Sequence, residues 1–209
     1  MERNRKIWMQ ILVLAAVLRF FPFDFQTAVS TFDDGPNIKY TPMLLDGLKE
    51  RGIKATFFLI GANTEQEESK KIVKRMYEEG HLIGNHTYRH VDLSKISGRE
   101  AEKEIKTTDE AIKKITGHET EFIRPPFGAM PEGEEDPDKI YVKWTVDSLD
   151  WVTKDTEKIV EKVTADTKEG DVILMHDCYG ESVEAALQIV DIMEKQGYEF
   201  VTADELIIN

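Results

Sequence analysis

From about residue 26 to its end, this chain alternates strand-like and helix-like segments, and that alternation constrains its fold more than any other feature. Residues 26–32 lean towards β structure, and 40–51 carry a helical period that stops before Gly52. Residues 54–60 (KATFFLI) read as a buried strand, 65–79 as a charged amphipathic helix ending at Gly80, and 81–84 as another short strand. Ser97 can cap a long helix over 98–116, stopped by Gly117. Strands are predicted at 121–124 and 141–146, then a helix from its cap at Asp155 to residue 168. A strand at 172–175, a helix at 181–196 and a last strand at 198–201 follow. Strands separated by helices must run parallel, because each crossover returns the chain to the same end of the sheet. The alternation therefore predicts an α/β fold, either a barrel or an open doubly wound sheet. One stretch breaks it: residues 128–140 hold two prolines, five acidic residues and no helical stripe. An acidic surface loop is expected where a crossover helix would otherwise lie.

The chain's 209 residues suit one domain able to bury a core without disulfides or structural metals. Its 40 acidic against 27 basic residues give a net charge of -13, which repels phosphate backbones and argues against a nucleic-acid partner. The single cysteine, Cys178, can form neither an internal disulfide nor a cysteine-rich zinc site, and it reads as a packed residue rather than a nucleophile. Before the alternation begins, Arg3, Arg5 and Lys6 precede an apolar run over 7–18, which ends at Arg19 and Pro22. Residues 1–25 read as an export signal or a short uncleaved membrane anchor, since a full span needs about 20 apolar residues. The alternative is an amphipathic helix packed on the domain. The first reading places residues 26–209 outside the cytoplasm, secreted or held at the membrane.

Five polar clusters fall just after the predicted strand ends. They are Asp33-Asp34-Gly35-Pro36, then Asn85-His86-Thr87-Tyr88-Arg89-His90, then Arg124-Pro125-Pro126-Phe127-Gly128, then residues 147–151, and His176-Asp177. In parallel α/β folds the carboxyl ends of the strands are where active sites assemble. His86 and His90 are four residues apart, so on a helical turn both imidazoles face one way and can share a metal. With Asp34 they make two histidines and a carboxylate, a set that leaves a position open for water. Read alone, Asp33-Asp34-Gly35-Pro36 is equally a plain turn. Asn85-His86-Thr87 also spells a glycosylation sequon, discounted here because its middle residue is a proposed ligand in a cleft. His81 and His118 belong to no motif and read as structural or surface residues.

Taken in order, Thr31 to Pro36, His86 to His90, Arg124 to Phe127, Asp147 to Trp151 and Leu174 to His176 resemble the polysaccharide deacetylases with the NodB homology domain, carbohydrate esterase family 4. The resemblance runs from about residue 26 to the C-terminus. It implies a distorted (β/α) barrel and a divalent metal, usually zinc, on Asp34, His86 and His90. By the same resemblance Asp33 is the general base, Arg124 its partner, His176 the general acid and Asp150 the carboxylate that tunes it. The backbone N–H of Phe127 corresponds to an oxyanion donor, and Trp151 and Leu174 to walls of the acetyl pocket. The implied reaction is removal of N-acetyl groups from an N-acetylglucosamine polymer, with peptidoglycan favoured and chitin oligomers next. O-deacetylation of acetyl xylan is an alternative, as is a non-catalytic carbohydrate-binding protein on the same scaffold. The acidic segment after Phe127 departs from the family's usual crossover helix, which is expected to alter the shape of the substrate groove.

Overall fold

In the computed structural model the described residues are 26–130, 136 and 138–208. The leader reading concerns residues 1–25 and lies outside them. The strands are β1 (Gln26–Asp33), β2 (Thr56–Leu59), β3 (Leu82–Asn85), β4 (Phe122–Ile123), β5 (Ile140–Tyr141), β6 (Val146–Asp147), β7 (Asp171–His176) and β8 (Tyr198–Val201). The helices are α1 (Tyr40–Arg51), α2 (Glu67–Glu78), α3 (Gly98–Thr116), α4 (Asp150–Thr153), α5 (Thr156–Asp166), α6 (Gly180–Lys195) and α7 (Ala203–Ile208). The caps expected from sequence are in place. Ser97 and Glu100 form a reciprocal capping box on α3, Asp155 accepts from the Lys158 N–H, and Gly52 and Gly117 close α1 and α3 in left-handed conformation.

All the strand pairs are parallel, in the order β5-β4-β3-β2-β1-β7-β6, with β8 also on β1. The two ends of this order decide the shape. Edge strands β5 and β6 are separated in sequence only by residues 142–145. Five residue steps span at most about 18 Å, so the two edges must lie close and the sheet must curl. It does so as a half-barrel surrounded by helices, as the resemblance implied. The single strand expected over 141–146 is thus two short ones on opposite edges. The reason is hydrogen bonding: Val142 N–H still donates to Ile123 on β4, whereas Thr145 N–H already donates to Val172 on β7. The chain changes partners between them. No α-helix occupies the described part of 128–139, as expected, and only a short 3-10 turn (Pro126–Gly128) enters it; residues 131–135 and 137 lie outside it.

Alternation along the strands sorts the side chains into two layers. Phe32, Phe57, Leu59, Ile173 and Met175 face outward into the main core, against Leu44, Leu45 and Leu48 of α1, Val73 and Met76 of α2, Ile159 and Val163 of α5, and Val190 and Met193 of α6. Each such fully buried side chain contributes about 1.5–3 kcal/mol. Val29, Phe58, Phe122, Val142 and Val172 face inward and fill the barrel floor. Gly84 is required there, because a Cβ would lie 2.5 Å from the Phe58 ring. Continuing the inward alternation two to four residues towards the carboxyl ends gives Thr31 and Asp33, His86, Arg124 and His176. The same face that packs the floor therefore carries polar groups at the rim.

Candidate active site

Asp33 is the buried centre of the rim. Its side chain is 4% exposed, and Oδ1 accepts from Arg124 Nη1 at 2.8 Å. Arg124 is itself completely buried, a costly place for a guanidinium unless every donor is used. Nη1 also donates to Thr31 Oγ1 (2.6 Å), Nε to the Val142 carbonyl and Nη2 to the Lys143 carbonyl (3.2 Å each). The guanidinium lies 4.3 Å from the centre of the Phe58 ring. Arg124 thus holds Asp33 and, with the same group, binds the segment that joins the two sheet edges.

Asp34, His86 and His90 come together beside Asp33. Each offers one atom, and all three atoms lie within 4.8 Å of one another. Asp34 Oδ1 is 3.5 Å from His86 Nε2 and 3.3 Å from His90 Nε2. Ligand atoms sharing a tetrahedral ion at about 2.0–2.1 Å stand about 3.3–3.4 Å apart, so these spacings suit one small cation. Asp34 Oδ1 is also buried without a hydrogen-bond partner, a cost that a cation would remove. The histidine tautomer agrees. His86 Nδ1 lies 2.6 Å from the Arg124 carbonyl, which can only accept, so Nδ1 carries the proton and Nε2 keeps its lone pair. Burial lowers the His86 pKa against the pull of Asp33 and Asp34, which favours the neutral, ligating imidazole.

The loop between the two histidines is held on every side. Asp34, Thr87 and His90 all take left-handed backbone conformations. Such turns persist only where neighbours over-determine them. Thr87 N–H donates to Asn85 Oδ1, Gly61 and Ala62 N–H donate to the Thr87 and Tyr88 carbonyls, and Glu104 of α3 accepts from the Arg89 backbone and guanidinium. Asn85 Nδ2 donates to Ile105 and to Asp109, so this fully buried amide has no freedom to carry a glycan. Sequence reasoning gave no role to Thr31, which only opened the first motif, and did not single out Glu104 or Asp109. A signal existed for Glu104, a carboxylate within the otherwise buried stripe Ala101, Ile105, Thr108 and Ile112 of α3.

On the neighbouring strand, His176 is level with Asp33 in the β1–β7 register. Its Nδ1 lies 2.7 Å from Asp150 Oδ1, and its backbone N–H donates to Asp150 Oδ2 at 2.8 Å. Burial works against a charged His176, but the Asp150 hydrogen bond and charge, aided by Asp33 and Asp34, outweigh it and raise its pKa to about 9. Burial likewise opposes the charged form of Asp150, yet His176 holds its pKa below the usual carboxylate value. The pair is therefore ionised at neutral pH, with the imidazolium Nε2 available to donate.

The remaining expected residues divide between rim and floor. Phe127 is 68% exposed, its backbone left-handed and its ring edge-on to His90 at 4.8 Å. Trp151 is half exposed on the rim, and its backbone N–H donates to Asp150 Oδ1 at 2.8 Å. Leu174 is buried between Thr31 and Asp147 in the sheet, so it belongs to the floor of the cleft. Cys178 is no nucleophile: burial and the adjacent Asp177 push its thiol further from ionisation. His81 is a core residue whose Nδ1 accepts from Ala55 N–H, and burial lowers its pKa to about 4. His118 stacks on Tyr77 at the surface.

Comparison with known proteins shows which family and fold the chain shares. The family model described as polysaccharide deacetylase matches residues 22–136. A peptidoglycan-N-acetylglucosamine deacetylase of Bacillus cereus is 38% identical over 189 residues, which is 87% of this chain and 68% of that protein. The peptidoglycan-N-acetylmuramic acid deacetylase PdaC of Bacillus subtilis is 38% identical over 84% of this chain, which spans only 38% of that longer protein. A solved structure of PdaC superposes with a TM-score of 0.83 at 34% identity, covering 89% of this chain and 92% of that one. A family 4 acetyl xylan esterase from Clostridium thermocellum, solved with a cobalt ion, superposes at 0.78 with 30% identity, covering 88% and 91%.

Proposed function

The chain belongs to the polysaccharide deacetylase family, and from that membership we propose that it removes N-acetyl groups from peptidoglycan sugars as a divalent-metal hydrolase. One observation carries this reading: Asp33 and His176, level with each other on neighbouring strands, stand beside the Asp34, His86 and His90 cluster, each with its own buried counter-charge. Asp34, His86 and His90 would hold the metal, zinc by the nitrogen and oxygen donor set, and it would polarise the acetyl carbonyl and acidify water. Asp33 accepts a proton from the attacking water, whose oxygen bonds to the carbonyl carbon. The Arg124 ion pair holds the Asp33 carboxylate in place and aims it. The backbone N–H of Phe127 donates to the negative oxygen that develops, a contribution of about 2.7–4 kcal/mol for one such donor. Protonated His176 then gives its Nε2 proton to the sugar nitrogen as the C–N bond breaks, leaving acetate and a free amine. Trp151 and Leu174 wall the space for the acetyl methyl.

Release of acetate from a substrate panel tests this reading. Peptidoglycan should release acetate in a reaction abolished by a chelator and restored by zinc or cobalt. Faster turnover of chitin oligomers or acetylated xylan would replace the proposed substrate, and sugar binding without any acetate release would favour a non-catalytic role. Peptidoglycan lies outside the cytoplasmic membrane, so residues 1–25 act in this reading as an export signal or anchor. Cell fractionation with and without them checks that.

Two variants probe separate parts of the site. His86→Ala should lose most of its metal on dialysis while keeping its far-UV circular dichroism; wild-type metal content by elemental analysis would remove His86 as a ligand. Asp150→Asn should move the alkaline limb of kcat/KM to lower pH. His176 must stay protonated to donate, and without the Asp150 carboxylate burial pulls its pKa down from about 9. An opposite charge at hydrogen-bond distance is worth about 1–3 pH units. An unmoved limb would show that Asp150 does not set the His176 proton.

A further inference from the structure

Asp177 adjoins His176 but has no part in the proton transfers above. It is completely buried, and its carboxylate faces the turn that follows Asp34 rather than the cleft. Thr41, also fully buried in the first turn of α1, donates from Oγ1 to Asp177 Oδ2 at 2.5 Å. The same hydroxyl accepts from the Asn37 N–H at 2.8 Å, and Asn37 Oδ1 accepts from the N–H groups of Lys39 and Tyr40. The carboxylate also lies hard against Gly35: a Cβ there would meet Asp177 Oδ2 at 2.5 Å and Oδ1 at 2.7 Å.

From the opposite side the turn is gripped through its carbonyls. Asn63 Nδ2 donates to the Asp34 carbonyl at 2.8 Å, and Ile60 N–H donates to that of Gly35 at 3.1 Å. Asp34 sits between these grips with φ at 73°, a conformation a non-glycine residue keeps only under constraint. It is also the residue whose buried Oδ1 must meet His86 Nε2 and His90 Nε2 at one point.

We propose that Thr41 and Asp177 are positioning residues for the Asp34 carboxylate, a buried hydroxyl–carboxylate clamp that sets the turn and thereby the affinity of the three-residue site for its cation. The inference rests on Asp34 being a metal ligand. Partners that orient a ligand in this way typically change metal affinity ~10–100-fold.

The test titrates zinc into metal-free full-length wild type, Thr41→Val and Thr41→Ser against a chromophoric chelator, with thermal melts of the same metal-free samples. Thr41→Val should bind zinc at least about tenfold more weakly. Thr41→Ser, which keeps the hydroxyl, should bind as wild type does. Wild-type affinity in Thr41→Val, whatever its melting temperature, overturns the proposal, because a merely structural threonine would change the melt and not the affinity. Should Thr41→Val fail to fold, Thr41→Ala makes the same comparison with the same two outcomes. A wild type that takes up no zinc would sink the metal reading itself, whereas zinc binding equal in wild type and variant sinks only the clamp.

Discussion

Asp33→Asn is expected to lower turnover by about 10²–10⁴-fold, the usual worth of a positioned general base, while metal uptake stays intact. Asparagine has the shape of aspartate, and its Oδ1 can still accept from Arg124 Nη1, so the local hydrogen bond survives. What disappears is the second carboxylate oxygen as a proton acceptor, since an amide nitrogen is not basic. The atoms proposed to bind the cation belong to Asp34, His86 and His90 and are left in place. Acetate release with parallel elemental analysis separates the two effects. Activity within a few-fold of wild type would remove Asp33 as the base; loss of metal together with activity would mean that Asp33 shapes the site instead.

Arg124→Ala should produce the largest loss of stability of any single change at the rim. Removal leaves Asp33 buried without its counter-charge, and breaking one side of a buried pair costs about 3–5 kcal/mol. It also deprives the Val142 and Lys143 carbonyls of donors and empties the space over Phe58. For a chain of this size each kcal/mol is worth roughly 2–4 °C, so a drop on the order of 6–20 °C is expected. Arg124→Lys should not restore it, because one ammonium cannot reach Thr31, Asp33 and two carbonyls in the directions of a planar fork. A melting temperature within a few degrees of wild type in Arg124→Ala would show that the edge-joining segment holds without this residue.

How much of the molecule was legible beforehand follows from which interactions are local. Short β-prone runs in β1 and β7 and period-3.6 stripes in α1, α3 and α6 are written in short windows, so those elements lie close to where the pattern places them. Ser97, Asp155, Gly52 and Gly117 announce helix ends through their own backbone and side-chain chemistry. Residues 141–146 were misread as one strand because the apolar pattern runs on through them. Nothing within that window reveals that its first residues pair with β4 and its last with β7. Only closure of the curled sheet separates them. Placement of the polar clusters at the carboxyl ends of strands was legible; His86 and His90 do meet, but from an irregular loop with Thr87 and His90 left-handed, not from the helical turn their spacing suggested.

The sequence by itself determined that the fold is parallel α/β and that polar residues follow the strand ends, since strand and helix periods and the residue types at those ends are local properties. It also carried, in five ordered motifs, membership of the deacetylase family. Only the tertiary structure decided which of those residues meet. Arg124 reaches Asp33 across 91 positions, and Asp150 reaches His176 across 26. Thr41 meets Asp177 across 136. Contacts of that range depend on strand register and on the curl that brings β5 and β6 round, and no short stretch of sequence encodes either.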